Sequence, residues 1–526
     1  MAKKRISKNK SRLNKKINVK TWQMLLGVAV IAVVGIIVIF VSNAAAPPRS
    51  VTEFGAKGDG VSDDTEAIQT AIDTVSASGT AANQAQELRL PAGNYKITRP
   101  LFMKSNVQFR GTPGQTKLLS RNGVSGSSFL LYIGNVHPQA FDSRMPKENQ
   151  FTNFPVSGQY AKDSTSVSLA NVTDATQFKK DEIVCVRSIK TFEFGTYPDS
   201  NFAQPDIVQF NKIKSIQGNN IEFEQKSLNT IKDPQVCKIT GKDGYQTAVL
   251  GKQINWYALQ NVEISGITFA DANFALAGGL CYGCFIKNIR FENVTNPMNL
   301  NAIVNSIFSD ITGDYTRRVL EIKMASSRST FRNINMTFLP PGNQPFAVHA
   351  VDVGERSVDI TLNQLNLNIG PEWSVNQRLI GIGDAQDVDI MNSNINLSGG
   401  GNLAVFEIRG NYDATISGSD FATEKYRILN NTINLGIAKE QLAIMAGYNG
   451  RPIKDLIFSG NKWNGTPTTT GDAYFALDFV DNWSVTNETI LIANQMKVLN
   501  QSQPPQMSRV QFANSPPQEG YKKPRK

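Results

Sequence analysis

NVEISGITF (261–269), CFIKNIRF (284–291), SIFSDITG (306–313) and STFRNINM (329–336) place Ile264, Ile286, Phe308 and Phe331 at one shared position, 22 or 23 residues apart. Each segment supplies short β stretches with Asn, Ser or Gly at a corner between apolar residues. One coil of this length cannot close a core. Stacked copies can, which is the physical meaning of a fixed short period. A leucine-rich horseshoe has a similar period but needs a leucine and asparagine signature that is missing here. Later segments carry the same pattern at longer spacing: VDITLNQLNL (358–367), VDIMNSNINL (388–397), ATISGSDF (414–421), LIFSGNKW (456–463) and WSVTNETI (483–490). The pattern predicts an all-β chain wound as a parallel β-helix.

Upstream of these coils, Ala67, Ile68, Ala71, Ile72 and Val75 recur at helical spacing, and Asp63 with Glu66 resembles a capping box, so one helix is expected from about Asp64. LRLPAGNYKITRPLFMKSNVQFRG (88–111) alternates between Pro/Gly turns and reads as short strands. Residues 157–250 break the coil pattern and read as a small antiparallel β insertion around Gly218-Asn219-Asn220. Cys185 and Cys237 fall in opposite halves of that insertion, where either a bridge or two buried thiols is expected. The tail at 501–526 is Pro/Gln-rich and basic at its end, which predicts a flexible segment.

The net charge of +10 is concentrated at the ends. Residues 1–20 carry nine Lys/Arg and no acid, and the last twelve carry four against Glu519, so the body between is close to neutral. A basic face for nucleic acid is not expected. Met24–Val41 is eighteen apolar residues without a charge, close to the ~20 that cross a bilayer as a helix. Residues 21–43 therefore read as one transmembrane helix, a signal anchor following a basic cytoplasmic tail at 1–20. A linker at 44–50 then leads to an extracytoplasmic body at 51–500. Cleavage near Ala46 and secretion is the alternative, and it exports the same body.

FGAKGDGVSDDTEAIQTAID (54–73) followed by LRLPAGNYKI (88–97) resembles the opening of the pectate-lyase-like superfamily, in its rhamnogalacturonase and epimerase-like branch. The resemblance implies a right-handed parallel β-helix capped at its N-terminal end by the first helix. It implies no active site, because the coils lack the Asn-Thr-Asp, Asp-Asp and Gly-His-Gly motifs of polygalacturonase-type hydrolases and the Asp-Pro-His-Asp of alginate epimerases.

Chemistry is expected from a second ladder. Leu320-Glu321-Ile322-Lys323, Val351-Asp352-Val353-Gly354, Ile380-Gly381-Ile382-Gly383 and Phe406-Glu407-Ile408-Arg409 align with Ile322, Val353, Ile382 and Ile408 inward. Alternation then puts Glu321, Asp352, Gly381 and Glu407 in one outward column and Lys323, Gly354, Gly383 and Arg409 in another. One rung, ~4.8 Å, separates Glu321 from Asp352 and two, ~9.6 Å, separate Asp352 from Glu407, spacings near the about 5–5.5 Å of retaining and the roughly 6.5–9.5 Å of inverting glycosidases. Asp352 and Glu407 are the expected acid/base pair, with Lys323 or Arg409 holding a sugar carboxylate or, in a lyase, serving as base. Surface ion pairing of the same residues is the structural alternative.

His349, three residues before Asp352, is a further candidate acid, and Trp373 with Glu372 is a candidate sugar platform. Asp59, Asp63 and Asp64 fit capping and a tight turn better than calcium, and Cys281-x-x-Cys284 lacks the further ligands of a zinc site, so no metal or cofactor is expected. The expected function is a membrane-anchored protein acting on acidic polysaccharide as a lyase or glycoside hydrolase. The alternative is a non-catalytic carbohydrate-binding or structural surface protein, and a tailspike-like homotrimer is the further assembly considered.

Overall fold

The computed structural model describes residues 47–512 apart from 83, 121–128, 135–150, 190, 194–202, 206, 241–249, 340–348, 371–378, 399–403, 411–419, 437–440, 447–451, 466–471 and 500–505. The expected membrane span at 21–43, the basic tail and the Glu372–Trp373 corner lie outside the described residues. Among the described residues no helix is long and apolar enough to cross a membrane.

From residue 48 onward, thirty-two strands join in one parallel network. The apolar position read from the repeat stacks in register through Ile264, Ile286, Phe308, Phe331, Leu362, Ile390, Ile428, Phe458 and Val485. All nine are fully buried. Phe308 and Phe331 stack with ring centroids 4.7 Å apart, so successive coils hold one another through side chains as well as backbone.

The corners explain the polar residues of the repeat. Gly266, Asn288, Asp310, Asn333, Gln364, Asn392, Asn430, Gly460 and Asn487 follow that apolar position by two residues, and every one has positive φ, from 52° to 72°. A left-handed residue turns the strand so that the apolar residue two places before it and the residue just after it both point inward, and Asn, Asp and Gly adopt that conformation at least cost. The rung expected at 414–421 falls mostly outside the described residues. The next described strands of the stack are Glu424–Leu429 and Thr432–Leu435.

Inside the corner, the residue after each left-handed position changes character along the stack. Ile289, Ile311, Ile334 and Leu365 give way to Ser393, Asn431, Asn461 and Glu488, all buried. Each polar side chain accepts from the backbone N–H of the coil before it: Leu365 N to Ser393 Oγ at 3.1 Å, Ser393 N to Asn431 Oδ1, Asn431 N to Asn461 Oδ1 and Asn461 N to Glu488 Oε1, the last three at 2.9 Å. Glu488 also accepts from Asn461 Nδ2 and Trp463 Nε1, each at 2.7 Å.

Burial pushes the Glu488 carboxyl up from 4.5 to about 7, against these three donors. The folded chain thus holds this proton more tightly than the unfolded chain. The stability it contributes is complete below pH 4.5, declines as pH rises and is gone above about 7. About 3 kcal/mol should be lost across that window in the native protein and not in Glu488→Ala, read as urea midpoints at constant m. Parallel pH profiles for the two proteins would exclude this account.

The helix spans Thr65–Ala82, with Ile68, Ala71, Ile72 and Val75 buried against the first strands. The expected capping box does not form. Asp63 accepts from Thr65 N at 3.0 Å, while Glu66 turns away to pair with Arg99. Asp64 binds the N–H groups of Lys57 and Gly58, and Asp59 those of Val61 and Ser62, as turn and capping chemistry requires.

The insertion is a six-stranded antiparallel sheet that begins at Phe151 rather than 157, because Phe151–Pro155 pairs with Pro234–Ile239. Gly218-Asn219 forms its hairpin turn, and Cys185 lies opposite Cys237 and is bridged to it. Cys281 and Cys284 are also bridged, across the corner at Gly283. At the far end the β-helix continues past 500. Gln506–Ser508 and Gln511–Phe512 add to the last coil, and Val510 and Phe512 are buried, so this part of the expected flexible tail is structural.

Candidate functional site

The expected ladder forms in the expected register. Glu321 pairs with Asp352, Asp352 with Gly381 and Gly381 with Glu407, while Gly354 lies beside Gly383 and Gly383 beside Arg409. Ile322, Val353, Ile382 and Ile408 point into the core, which leaves the alternate residues on one outer flank. One rung earlier, Asn299 and Asn301 begin the same two columns, beside Glu321 and Lys323.

The flank is a dense charge network. Lys323 Nζ lies 3.0 Å from Asp352 Oδ1, and Arg318 Nη1 lies 2.7 Å from Glu321 Oε1 and 3.8 Å from Asp352 Oδ2. Asn299 Nδ2 donates to Glu321 Oε2 at 2.7 Å, and Arg409 pairs with Glu407. Glu407 is only 1% exposed, whereas the Arg409 side chain, at 30%, is the most open member of the network.

His349 fills the gap in the carboxylate column. Its Nε2 is 2.7 Å from Glu407 Oε2, and its Nδ1 is 3.9 Å from Asp352 Oδ2. The ring lies over Gly381, where any Cβ would meet imidazole atoms at 2.7 Å. Glycine at this rung is what lets the ring reach between carboxylates two rungs apart. The space that an inverting pair reserves for water is therefore occupied by a side chain.

Electrostatics assign the protons. Burial pushes the Asp352 carboxyl up, but Lys323, Arg318 and His349 together hold it well below the usual carboxylate range. Burial likewise pushes the Lys323 ammonium down, and Asp352, Glu355 and Glu321 outweigh it and raise its pKa. Arg318 is raised by Glu321 and Asp352 against the same burial. Asp352 thus holds no proton to donate near neutral pH, and Lys323 keeps its own, which argues against the expected roles of general acid and lyase base.

Glu407 Oε1 faces the Arg409 guanidinium, and its Oε2 lies 2.7 Å from His349 Nε2. His349 Nδ1 is directed toward Asp352 but stays beyond hydrogen-bond distance of it. The sequence reading placed Glu321, Lys323, Asp352, Glu407 and Arg409 together but missed Arg318 and Asn299 and undervalued His349. The signal for His349 was Gly381 itself, a rung without a side chain beside two carboxylates.

The sequence model of the family described as rhamnogalacturonase A/epimerase, pectate lyase-like matches residues 48–312, just over half of the chain. Among curated proteins, the non-secreted LysM effector LysM19 of Penicillium expansum is 40% identical over 70 residues, 12% of this chain and 6% of that protein. Mannuronan C5-epimerase AlgE1 of Azotobacter vinelandii is 46% identical over 69 residues, 12% of this chain and 5% of its own length. The chain thus spans a small fraction of the curated relatives it matches. Among solved structures, the tailspike gp61 of Pseudomonas phage phi297 aligns at 12% identity with a TM-score of 0.47, covering 88% of this chain and 76% of that one.

Proposed function

The chain belongs to the rhamnogalacturonase A/epimerase, pectate lyase-like family, and from that footing we propose that it acts on an acidic polysaccharide, with His349 as the base that removes the proton next to a uronate carboxyl group. The observation that carries this reading is the imidazole held between Glu407 and Asp352 on a flank that also presents Arg318, Lys323 and Arg409.

An incoming uronate meets guanidinium groups first, since Arg409 and then Arg318 are the more open cations of the network. Its carboxylate, paired there, stabilises the negative charge that develops when the neighbouring C–H bond breaks. The proton passes to His349 Nδ1. Asp352, held ionised, stabilises the imidazolium that results, and Glu407 keeps the ring oriented. In the lyase outcome the C4–O bond breaks as the C4=C5 double bond forms, and the His349 imidazolium passes its proton to the leaving oxygen, which restores the base. Glycoside hydrolysis is less well supported, because it needs a carboxyl that keeps its proton near neutral pH and Asp352 is held in the opposite state.

The same reading includes export and anchoring through residues 21–43. Bridged pairs at Cys185–Cys237 and Cys281–Cys284 support an oxidising compartment for the body.

The test is incubation of the full chain with a panel of polyuronides, following both unsaturated-product absorbance and reducing ends. Unsaturated ends that vanish in His349→Ala are expected. Silence on both channels across the panel removes the enzyme reading. One observation favours a second reading, a non-catalytic glycan-binding wall: His349 and Glu407 are both buried and the carboxylates already face cations, as in a stabilising network. Retained affinity for a polyuronide without turnover would select it.

A further inference from the structure

Most cations of the His349 flank already face an acid. Arg318 is committed to Glu321 and Asp352, Lys323 to Asp352, and Arg409 to Glu407. Arg317, the residue before Arg318, makes no ion pair or side-chain hydrogen bond among the described residues. It is half-buried. Its Nε is shut away from water without an acceptor, while both Nη groups of the same guanidinium remain open to solvent.

The backbone fixes where that guanidinium is presented. Thr316 N donates to Val294 O at 3.1 Å, and Arg317 N and Arg318 N both donate to Thr295 O, at 3.1 and 3.2 Å. The turn is thus pinned to Phe285–Val304, the strand of the preceding coil. Burial and then the Arg318 charge push the Arg317 pKa down, and Glu321 opposes them. A guanidinium keeps its charge all the same, so a cation stands here beside another cation, partly out of water and with no acid against it. An incoming anion offsets that cost.

Position along the stack bears on what the anion is. Arg317 leads into Leu320–Lys323, the His349 ring lies over Gly381 two rungs further on, and Arg409 is one rung beyond Gly381. Guanidinium groups therefore flank the imidazole on both sides along the β-helix, across three rungs or ~14 Å. One sugar ring does not span that distance.

We propose that Arg317 binds the carboxylate of a second uronate, on the N-terminal side of the unit that meets Arg409, so that the site takes a glycan with acids on several units and discriminates against a lone uronate. This rests on the acidic-polysaccharide reading and adds the residue that sets the minimum length of the ligand. The two open Nη groups can donate to a carboxylate as a parallel pair, and a neutral sugar leaves the guanidinium without a counterion.

The test measures binding to the full chain carrying His349→Ala, so that no ligand is turned over. Calorimetry compares trimers of galacturonate, mannuronate and guluronate with their methyl uronides and with the methyl-esterified trimers. At least one acidic trimer should bind more tightly than both its monomer and its ester. Arg317→Gln in the same background should weaken that trimer by about tenfold and leave the monomer unchanged, and Arg317→Lys, which keeps the charge without the fork, should weaken it by about threefold. Because Arg317 holds no other side chain, urea midpoints should not fall, and Arg317→Lys decides the matter if Arg317→Gln unfolds early. Turnover lost with this binding intact removes the chemistry at His349 alone, whereas turnover kept with Arg317→Gln indifferent removes the role of Arg317 alone. The proposal is overturned if no acidic trimer binds, if trimers bind no more tightly than monomers, or if Arg317→Gln affects monomer and trimer alike.

Discussion

Glu407→Ala should lower folding stability by about 3–5 kcal/mol and silence any turnover of polyuronide. Glu407 is 1% exposed, with Arg409 against one carboxylate oxygen and His349 Nε2 at 2.7 Å from the other. Removing it takes the shared anion from a buried imidazole and from a guanidinium whose side chain is 30% exposed, and deleting one partner of a largely buried pair costs more than the pair itself contributes. It also removes the partner 2.7 Å from Nε2 that orients the imidazole ring.

The stability loss is read from urea denaturation and the activity loss from unsaturated-product absorbance. Glu407→Gln serves as control, since it preserves volume while removing the charge opposite Arg409. A loss below about 0.5 kcal/mol for Glu407→Ala would place the pair among weak surface ion pairs and remove the electrostatic basis of the site.

Asn461→Ala should cost about 3–5 kcal/mol, far more than Asn434→Ala. Asn461 sits inside the corner and is 1% exposed. Its Oδ1 accepts from Asn431 N and Asn431 Nδ2, both at 2.9 Å, and its Nδ2 donates to Ile428 O and Glu488 Oε1 at 2.8 and 2.7 Å. Truncation strands donors on one neighbour and an acceptor on the other, where water cannot replace the lost groups.

Asn434 makes similar amide contacts with Asn396 and Asn464 at 2.6 and 2.7 Å, but on the outer face of the wall, where solvent takes over when the side chain is removed. Its loss should stay within about 1 kcal/mol. Thermal or urea unfolding of the two variants compares one residue type on the two sides of a single wall. Equal losses would mean that the interior ladder is not the strained part of the coil.

The coil register was legible because the inward position is apolar in every turn, from Ile264 to Val485, and because parallel stacking repeats whatever one coil does. That same regularity places Glu321, Asp352 and Glu407 on one column from alternation alone. It named His349 only as a further candidate acid and not as part of the column, because the residue lies before its strand rather than on it, and only the bare backbone of Gly381 lets its ring cross two rungs. Arg318 was missed for a related reason: it precedes Leu320–Lys323 and reaches back over both Glu321 and Asp352.

The linear pattern of residues settled which side chains face in, which face out and how far apart the columns stand, since these follow from strand alternation and a fixed rise between coils. Protonation and exposure were settled by packing alone. Asp352 is a carboxylate because Lys323 and Arg318 fold onto it against the cost of burial, and Glu407 is out of water although its strand position is an outer one. Both properties depend on distances between groups brought together by separate coils, and the order of residues along a chain carries no term for such distances.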